Sequence, residues 1–475
     1  MCGIIGGYNI NDINRGLDAI NHRGQDHRDI KQIESVSFGH VRLSIMDTSD
    51  LSNQPMTVGE TTIIFNGAIW NFREIREDLV KTYNIKFNTD GDTEVLAHLL
   101  DREGLSSLDK IQGMFAVAWT KGNNDITIAR DRHGEVPLHY SLLKNSLLPH
   151  FIFCSEIKGL RALDVDNSII NMLQPGSYIR TTNLDSIKTE KGLWYDIRQN
   201  IKTNLFTDRD SASKHIKTLV EKGSIERTVS AVPVCSLLSG GVDSSVITLA
   251  AMQNIPNLVS YIAVYNEKSK DLKCARDVSE MLNIELIEVK VEPPTVDDVK
   301  DIINTIEMKY KAQVEIAWPC IKLAQRIASD GFRVVLSGEG SDELWASYGM
   351  SYHGIKTHGW DEYRIKLFGS QERKNFARCN KIFMKYGVEC RLPFLNTELV
   401  ETALGMKQDI VWDTKSRPKA VLQDSYINLL PEEIIKRPKL AFQDGMGIKE
   451  EFVNILDKNP KVMYNKTYNE IFGAC

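Results

Sequence analysis

Short apolar runs separated by polar turns fill the first third of the chain, at residues 36–45, 61–65, 114–119, 126–129 and 151–154. Their length and their β-branched and aromatic content predict strands. Two stretches break the pattern. Phe72–Tyr83 and Asp92–Glu103 place apolar residues at helical spacing, the second with Val95, Leu96, Leu99 and Leu100 behind an acidic start, Asp92 to Glu94. Strands covered by a few helices predict a layered α+β domain.

Further along, the rhythm becomes strand then helix, repeatedly. Strands are predicted at 232–238, 258–265, 284–291 and 332–336, with helices at 243–252, 272–282 and 319–328 between them. That alternation predicts an α/β domain built on a parallel sheet with helices on both faces. Residues 174–208, with Pro175, Gly176 and little periodicity, read as the seam, which gives domains at 1–190 and 208–475. The chain contains neither an internal repeat nor a low-complexity tract.

Composition narrows the function classes. A chain of 475 residues, 42% hydrophobic and 25% charged, is long enough for about two to four globular domains. Its 58 Lys and Arg against 63 Asp and Glu, a net charge of -5, leave no basic footprint for a polyanion and argue against a nucleic-acid partner. No apolar run approaches the ~18 residues of a membrane span, and the N-terminus lacks a basic and apolar leader, so a cytoplasmic protein is expected. The eight cysteines are scattered, without a Cys-x-x-Cys pair or a His at zinc-finger spacing, which predicts reduced and mostly buried thiols. Cys2 is the exception.

The strand ending near Leu238 runs into Ser239-Gly240-Gly241-Val242-Asp243-Ser244-Ser245 and then a helix. Two glycines and several hydroxyls at a strand-to-helix turn let backbone N–H groups and the positive helix end approach a phosphate, so the loop is an anion cradle. It is neither a G-x-x-x-x-G-K-[ST] loop nor G-x-G-x-x-G, which disfavours a Walker-type ATPase or a dinucleotide fold. S-G-G-x-D-S is instead the pyrophosphate loop of enzymes that split ATP into AMP and pyrophosphate. A second loop, Ser337-Gly338-Glu339-Gly340-Ser341-Asp342-Glu343, follows a later strand, and loops at the carboxyl ends of parallel strands line one crevice. Asp243 and Asp342 are then placed to share magnesium, which takes carboxylates together with phosphate oxygens. Read alone, Asp342 is a helix cap.

At the other end, Met1-Cys2-Gly3 puts a small residue second, so removal of Met1 leaves Cys2 with a thiol and a free α-amine. An α-amine with an ordinary pKa of about 7.7 to 8.0 can take the thiol proton, directly or through water. Arg42, Asn66-Gly67 and Asp92 supply the rest of a glutamine site: an Arg for an α-carboxylate, an Asp for an α-ammonium, and an Asn side chain beside a Gly N–H as an oxyanion hole. Taken singly, Arg42 is a surface charge and Asp92 a helix cap.

With these motifs the sequence resembles, over essentially its whole length, the glutamine-dependent asparagine synthetases. Further matches are His22-Arg23-Gly24-Gln25-Asp26, Arg42-Leu43-Ser44-Ile45, Phe65-Asn66-Gly67, Ala129-Arg130-Asp131-Arg132, Ser155-Glu156-Ile157-Lys158, Gly387-Val388-Glu389 with Arg391-Leu392-Pro393-Phe394-Leu395, and the segment 436–445. The resemblance implies an N-terminal-nucleophile (αββα) class II glutaminase domain fused to an ATP-pyrophosphatase domain, joined by an ammonia tunnel. Cys2 would attack the glutamine amide, Asn66 and Gly67 would hold the oxyanion, and Arg42 and Asp92 would grip the α-groups. In the second domain ATP would adenylate a carboxylate, normally that of aspartate, and ammonia would displace AMP. By position, Leu237, Val264, Ser337 and Gly338 resemble the family's adenosine contacts, and Ser239, Gly240, Gly241, Asp243 and Ser244 its pyrophosphate and magnesium contacts. Glu339 resembles the acid of the acyl-adenylate step, and Lys439 the base that neutralises phosphate charge, although a charge run seen alone reads as a solvated loop. Glutamine, ATP and a carboxylate are the expected partners, with a homodimer as the candidate assembly.

Three departures qualify the resemblance. Ala68 stands where the family has an acid that helps to bind glutamine. Asn375 stands where it often has Asp, near the synthetase site, and residues 350–375 are shorter than in typical bacterial members. Amidation of another carboxylate, ring closure of the β-lactam synthetase kind, and a non-catalytic scaffold are the alternatives. Intact Cys2, residues 239–245 and Glu339 argue against the scaffold.

Overall fold

In the computed structural model, which describes residues 1–8, 10, 12–122, 125–143, 150–182, 187–369, 375–414, 417–437, 449–455 and 459–473, the first part of the chain forms two antiparallel six-stranded sheets. The first runs β10 (Asn171–Met172), β8 (His139–Leu143), β9 (His150–Cys154), β1 (Gly3–Tyr8), β3 (Val36–Arg42), β2 (His27–Ile33). The second runs β12 (Lys188–Leu193), β11 (Ser177–Thr182), β7 (Asp125–Arg130), β6 (Gly113–Lys121), β5 (Thr61–Ile69), β4 (Met56–Val58).

Side-chain alternation explains how these sheets stack. In β5, Ile64 and Ala68 enter the core between the sheets, while Ile63, Phe65 and Ile69 face the other way. In β1, Ile4 and Tyr8 enter the inter-sheet core and Ile5 faces outward. Successive residues of a strand point to opposite faces, so two buried faces require strands that are apolar throughout. The helices α1 (Ile13–Ile20) and α4 (Ile157–Arg161) cover the first sheet with Leu17, Ile20 and Leu160, and α2 (Phe72–Tyr83) and α3 (Asp92–Glu103) cover the second with Leu79, Val95 and Leu99. The result is the αββα sandwich expected from the sequence.

The later part forms a five-stranded parallel sheet in the order β15 (Leu286–Lys290), β14 (Ser260–Val264), β13 (Val234–Leu237), β16 (Val334–Leu336), β17 (Glu389–Arg391). The chain starts in the middle, works outward through β14 and β15, then returns to the other side of β13. Strand order therefore reverses between β13 and β16, and ligands of such sheets bind outside the carboxyl ends of the strands at that point.

Two expectations change. The helix expected at 319–328 spans Lys311–Ser329, with Pro319 inside it. Residues 174–208 are not all seam, because β11 and β12 pair there and β11 also pairs with β7. β12 reads Lys-Thr-Glu-Lys-Gly-Leu, an edge strand whose charges hide it from an apolar pattern. The second part opens at the helix Arg209–Glu226, N-capped by Asp208, whose carboxylate accepts the Ser211 N–H at 2.8 Å. Seven cysteines, Cys2 among them, are free and buried, and Cys475 lies outside the described residues. Among the described residues no helix is long and apolar enough to cross a membrane.

Candidate active sites

Cys2 immediately precedes β1 and is buried. Its N–H donates to Asn66 Oδ1 at 2.9 Å. Asn66 sits on β5, and its Nδ2 reaches Ser155 Oγ at a long 3.4 Å, a contact weak enough to yield to a better acceptor. The hydroxyl of Ser155 also accepts the Ile4 N–H at 2.9 Å, which ties β1 to the same group. Gly67 lies against β6 so closely that a Cβ would stand 2.2 Å from the Met114 carbonyl, so only glycine fits. Cys2, Arg42, Gly67 and Asp92 line one small pocket. Burial pushes the Cys2 thiol up, which the terminal ammonium and Arg42 oppose.

Asp92 is the first residue of α3, and its Oδ2 accepts the Ile69 N–H at 2.9 Å. Burial pushes its carboxyl up to about 6. Arg42 ends β3 and donates from Nη1 to Ser49 O at 2.7 Å and Asn53 Oδ1 at 2.6 Å, and from Nη2 to Asp47 O at 2.6 Å. Those bonds use both hydrogens of Nη1 and one of Nη2, so the guanidinium shapes the loop that walls the pocket as well as facing into it.

At the second site the loop after β13 folds on itself. Ser239 N–H donates to Ser244 Oγ at 3.1 Å, and Ser244 and Ser245 hydroxyls donate to Gly241 O at 3.2 and 2.8 Å. Gly240 has φ +72°, and a Cβ there would lie 2.6 Å from Ala275 N and Asp271 O. The loop after β16 packs directly on this turn: a Cβ on Gly338 would lie 3.1 Å from Asp243 C and Ser244 N, and Ser341 Oγ donates to Asp243 Oδ1 at 2.7 Å. The two glycine-rich loops thus meet, with Leu237 and Val264 at the adjacent strand ends.

Asp243 and Asp342 also come together, around an ammonium that sequence reasoning missed. Lys419 Nζ lies 2.5 Å from Asp243 Oδ2 and 2.6 Å from Asp342 Oδ1, with its side chain only 4% exposed. Two hard carboxylates aimed at one point suit a cation, and here that cation is the Lys419 ammonium; among the described residues no group of three or more His, Cys, Asp or Glu side chains is placed to hold a metal ion. Glu339 accepts from Arg378 Nη2 at 2.7 Å. Arg378 Nη1 donates to Gln313 Oε1 at 2.7 Å, and Asn375 Nδ2 donates to Glu343 Oε1 at 2.6 Å and to the Tyr348 hydroxyl at 2.9 Å. Burial, with Glu339 nearby, pushes Glu343 up to about 7. Lys439 lies outside the described residues.

The two sites share a junction. The amino group of Met1, itself buried, pairs with Glu389 of β17. Burial opposes ionisation of Glu389, but that ammonium and Arg391, at 2.6 Å, outweigh it and hold the carboxyl low. Arg391 also donates to the Arg227 and Val229 carbonyls and stacks over Trp70, 4.9 Å from the ring centroid. Arg23 and Ser155 carried a sequence signal as motif residues without an assigned role. Lys419 carried none beyond a basic run.

Fold and sites define an N-terminal-nucleophile sandwich joined to a nucleotide-binding parallel sheet. The glutamine amidotransferase domain family matches residues 1–207, and the asparagine synthase family matches 215–377 and 357–463. The chain belongs to the asparagine synthase family. It is similar to a probable glutamine-hydrolysing asparagine synthetase of Acanthamoeba polyphaga mimivirus, 28% identical over 490 residues, covering 95% of this chain and 86% of that protein. The corresponding enzyme of Brassica oleracea is 29% identical over 479 residues, with 94% and 78% covered, and asparagine synthetase B of Escherichia coli strain K12 is 28% identical over 445 residues, with 90% and 77% covered.

Proposed function

We propose that this chain is a glutamine-hydrolysing, ATP-dependent asparagine synthetase. In the first domain, after Met1 is removed, the Cys2 thiol gives its proton to its own α-amine and attacks the glutamine amide carbon. Asn66 Nδ2 and the Gly67 N–H receive the oxyanion, with Asp92 on the substrate ammonium and Arg42 on its carboxylate. Ammonia leaves with the proton, and water releases glutamate from the thioester. In the second domain a carboxylate, aspartate in this reading, attacks the α-phosphorus of ATP and expels pyrophosphate. Ammonia then attacks the acyl carbon and AMP departs.

Leu237, Val264, Ser337 and Gly338 would hold the adenosine, and Ser239, Gly240, Gly241 and Ser244 the phosphates. Asp243 and Asp342 would hold magnesium, which when bound neutralises phosphate charge. Lys419, already between them, contributes a fixed positive charge, and Lys439 is assigned a similar duty. Glu339, steadied by Arg378, faces the acyl-adenylate step. A cytoplasmic location and a homodimer complete the proposal.

The observation that carries this reading is the meeting of the two glycine-rich loops at Asp243 and Ser341 in a chain that also pairs Cys2 with Asn66. ATP–pyrophosphate exchange across a panel of carboxylates tests it: aspartate should drive exchange, and Cys2→Ala should abolish glutamine-dependent but not ammonia-dependent amide formation. Exchange with no carboxylate in the panel would overturn the synthetase assignment. A second reading, amidation of a different carboxylate, is favoured by Asn375: its amide nitrogen lies 2.6 Å from the Glu343 carboxylate, a place where a carboxylate would be repelled.

A further inference from the structure

One buried helix, Asn375–Met384, touches both sites. Asn375 and Arg378 reach Glu343 and Glu339 on the synthetase side. On the same helix Asn380, 3% exposed, turns toward the other domain, where its Oδ1 accepts from Arg23 Nη2 at 2.8 Å. Arg23 is fully buried. Its Nε donates to the Cys2 carbonyl at 3.0 Å and its Nη1 to Glu156 Oε1 at 2.6 Å. The three nitrogens of this guanidinium therefore hold three different partners, namely the nucleophile's own backbone, a glutaminase carboxylate, and the synthetase domain.

The arrangement is directional. Glu156 is shared among Arg23, His22 and Lys158, so it fixes the charge of the cluster better than the orientation of any one cation. Asn380 is a neutral acceptor on a rigid element, and a planar guanidinium held on two sides cannot rotate without breaking one bond. The next residue, Lys381, pairs with Glu307, whose carboxylate accepts the Ile157 and Lys158 N–H groups at 3.0 and 2.8 Å. That second grip fixes the helix against the segment that carries Glu156. The Asn380 amide nitrogen also lies 3.1 Å from Met1 Sδ, a contact that ends when Met1 is removed, whereas the Arg23 bond does not depend on Met1.

We propose that Asn380, a residue of the synthetase domain, is a positioning residue for the glutaminase nucleophile: it orients Arg23, which holds the Cys2 carbonyl and hence the aim of the thiol. The inference rests on the glutaminase reading of Cys2. Substrate grip belongs to Arg42 and Asp92, so loss of Asn380 should act on the chemical step and not on glutamine binding.

The test uses the full-length protein and glutamate release at saturating and limiting glutamine. Asn380→Leu should lower kcat about tenfold or more while KM for glutamine stays within about twofold, the expected result of misaiming a nucleophile without touching the substrate's α-groups. Ammonia-dependent amide formation should be retained. Asn380→Asp keeps the oxygen acceptor and should recover most of kcat. If the leucine variant is insoluble, Asn380→Ala removes the acceptor without added bulk and is read in the same way. Unchanged kcat in the leucine or alanine variant, an equal loss of ammonia-dependent synthesis, or failure of the aspartate variant to recover kcat would each overturn the proposal. Cys2→Ala is assayed alongside: glutamate release that survives it sinks the glutaminase reading itself, which separates that failure from a failure of Asn380.

Discussion

Asp92 and Lys419 show what burial does to single charges. Asp92 is closed off between α3 and β5, and its carboxyl titrates near 6, above the ordinary carboxylate range, so the charged form that would meet an α-ammonium is lost as pH falls through that value. Below the decline set by protonation of the Cys2 α-amine, glutaminase kcat/KM should therefore fall by a further step near pH 6, and Asp92→Asn should remove that lower step while raising KM about tenfold to a hundredfold, the worth of one charge-assisted contact. A pH profile of glutamate release that shows only the α-amine limb, with no further step near 6, would remove Asp92 from the role. Lys419 is the opposite case, a buried cation whose loss leaves two carboxylates facing each other. Lys419→Ala should abolish ATP–pyrophosphate exchange and destabilise the protein by about 3 kcal/mol in denaturant unfolding, while glutamate release continues. Exchange at the normal rate would mean that the phosphate charge is met elsewhere.

At the scale of elements, turns and helices differ in how openly they announce themselves. The Ser239–Ser245 turn is written in residue types, because a phosphate cradle needs glycines and hydroxyls between a strand and a helix. Gly240→Ala should cost about 1 to 3 kcal/mol and eliminate pyrophosphate exchange, since its positive φ and backbone neighbours leave no room for a Cβ. Gly241→Ala, whose Cβ would stand 3.6 Å from the Ser239 hydroxyl, should fold with wild-type stability. Equal damage from both would mean that the turn's shape is not what matters. Helices α2 and α3 were legible to the residue because amphipathic spacing and an acidic first turn coincide. β12 was not, being a charged edge strand, and neither was the start of the Lys311–Ser329 helix, where Pro319 resembles a helix start. The candidate site divides in the same way. Cys2, Asn66-Gly67 and the two loops are local patterns, whereas Lys419 with Asp243 and Arg23 with Asn380 are partners 176 and 357 positions apart. Nothing in a local window links such residues, and only folding brings them together.

Across the whole molecule, the boundary between the two domains is built from charges with partners on the far side. Arg333 meets Asp26 at 2.5 Å, Arg227 meets Glu135 at 3.3 Å, and Glu307, itself paired with Lys381 of its own domain, accepts the Ile157 and Lys158 N–H groups across the boundary at 3.0 and 2.8 Å. The Arg333–Asp26 pair is partly exposed, but the Arg227–Glu135 and Lys381–Glu307 pairs are buried, and buried pairs contribute little net stability yet are costly to break singly, so they fix how the domains sit more than how tightly they adhere. Met1 belongs to that boundary, enclosed with its amino group against Glu389. On the reading that Met1 is removed to free Cys2, its excision is a matter of timing. An aminopeptidase should reach the Met1–Cys2 peptide bond on a nascent chain, before β17 is made, and should fail to reach it once Met1 is enclosed against Glu389. Overproduction that outruns the aminopeptidase should yield a mixture of mature and arrested molecules, visible as two masses differing by one methionine residue. Treating the folded arrested fraction with added aminopeptidase should leave its mass and its lack of glutaminase unchanged, whereas unfolding and refolding it in the presence of the enzyme should convert it. Conversion without unfolding would show that the amino end is reachable after all. If the folded arrested fraction resists conversion, translation rate, and not only substrate supply, sets how much working enzyme a cell obtains from each messenger.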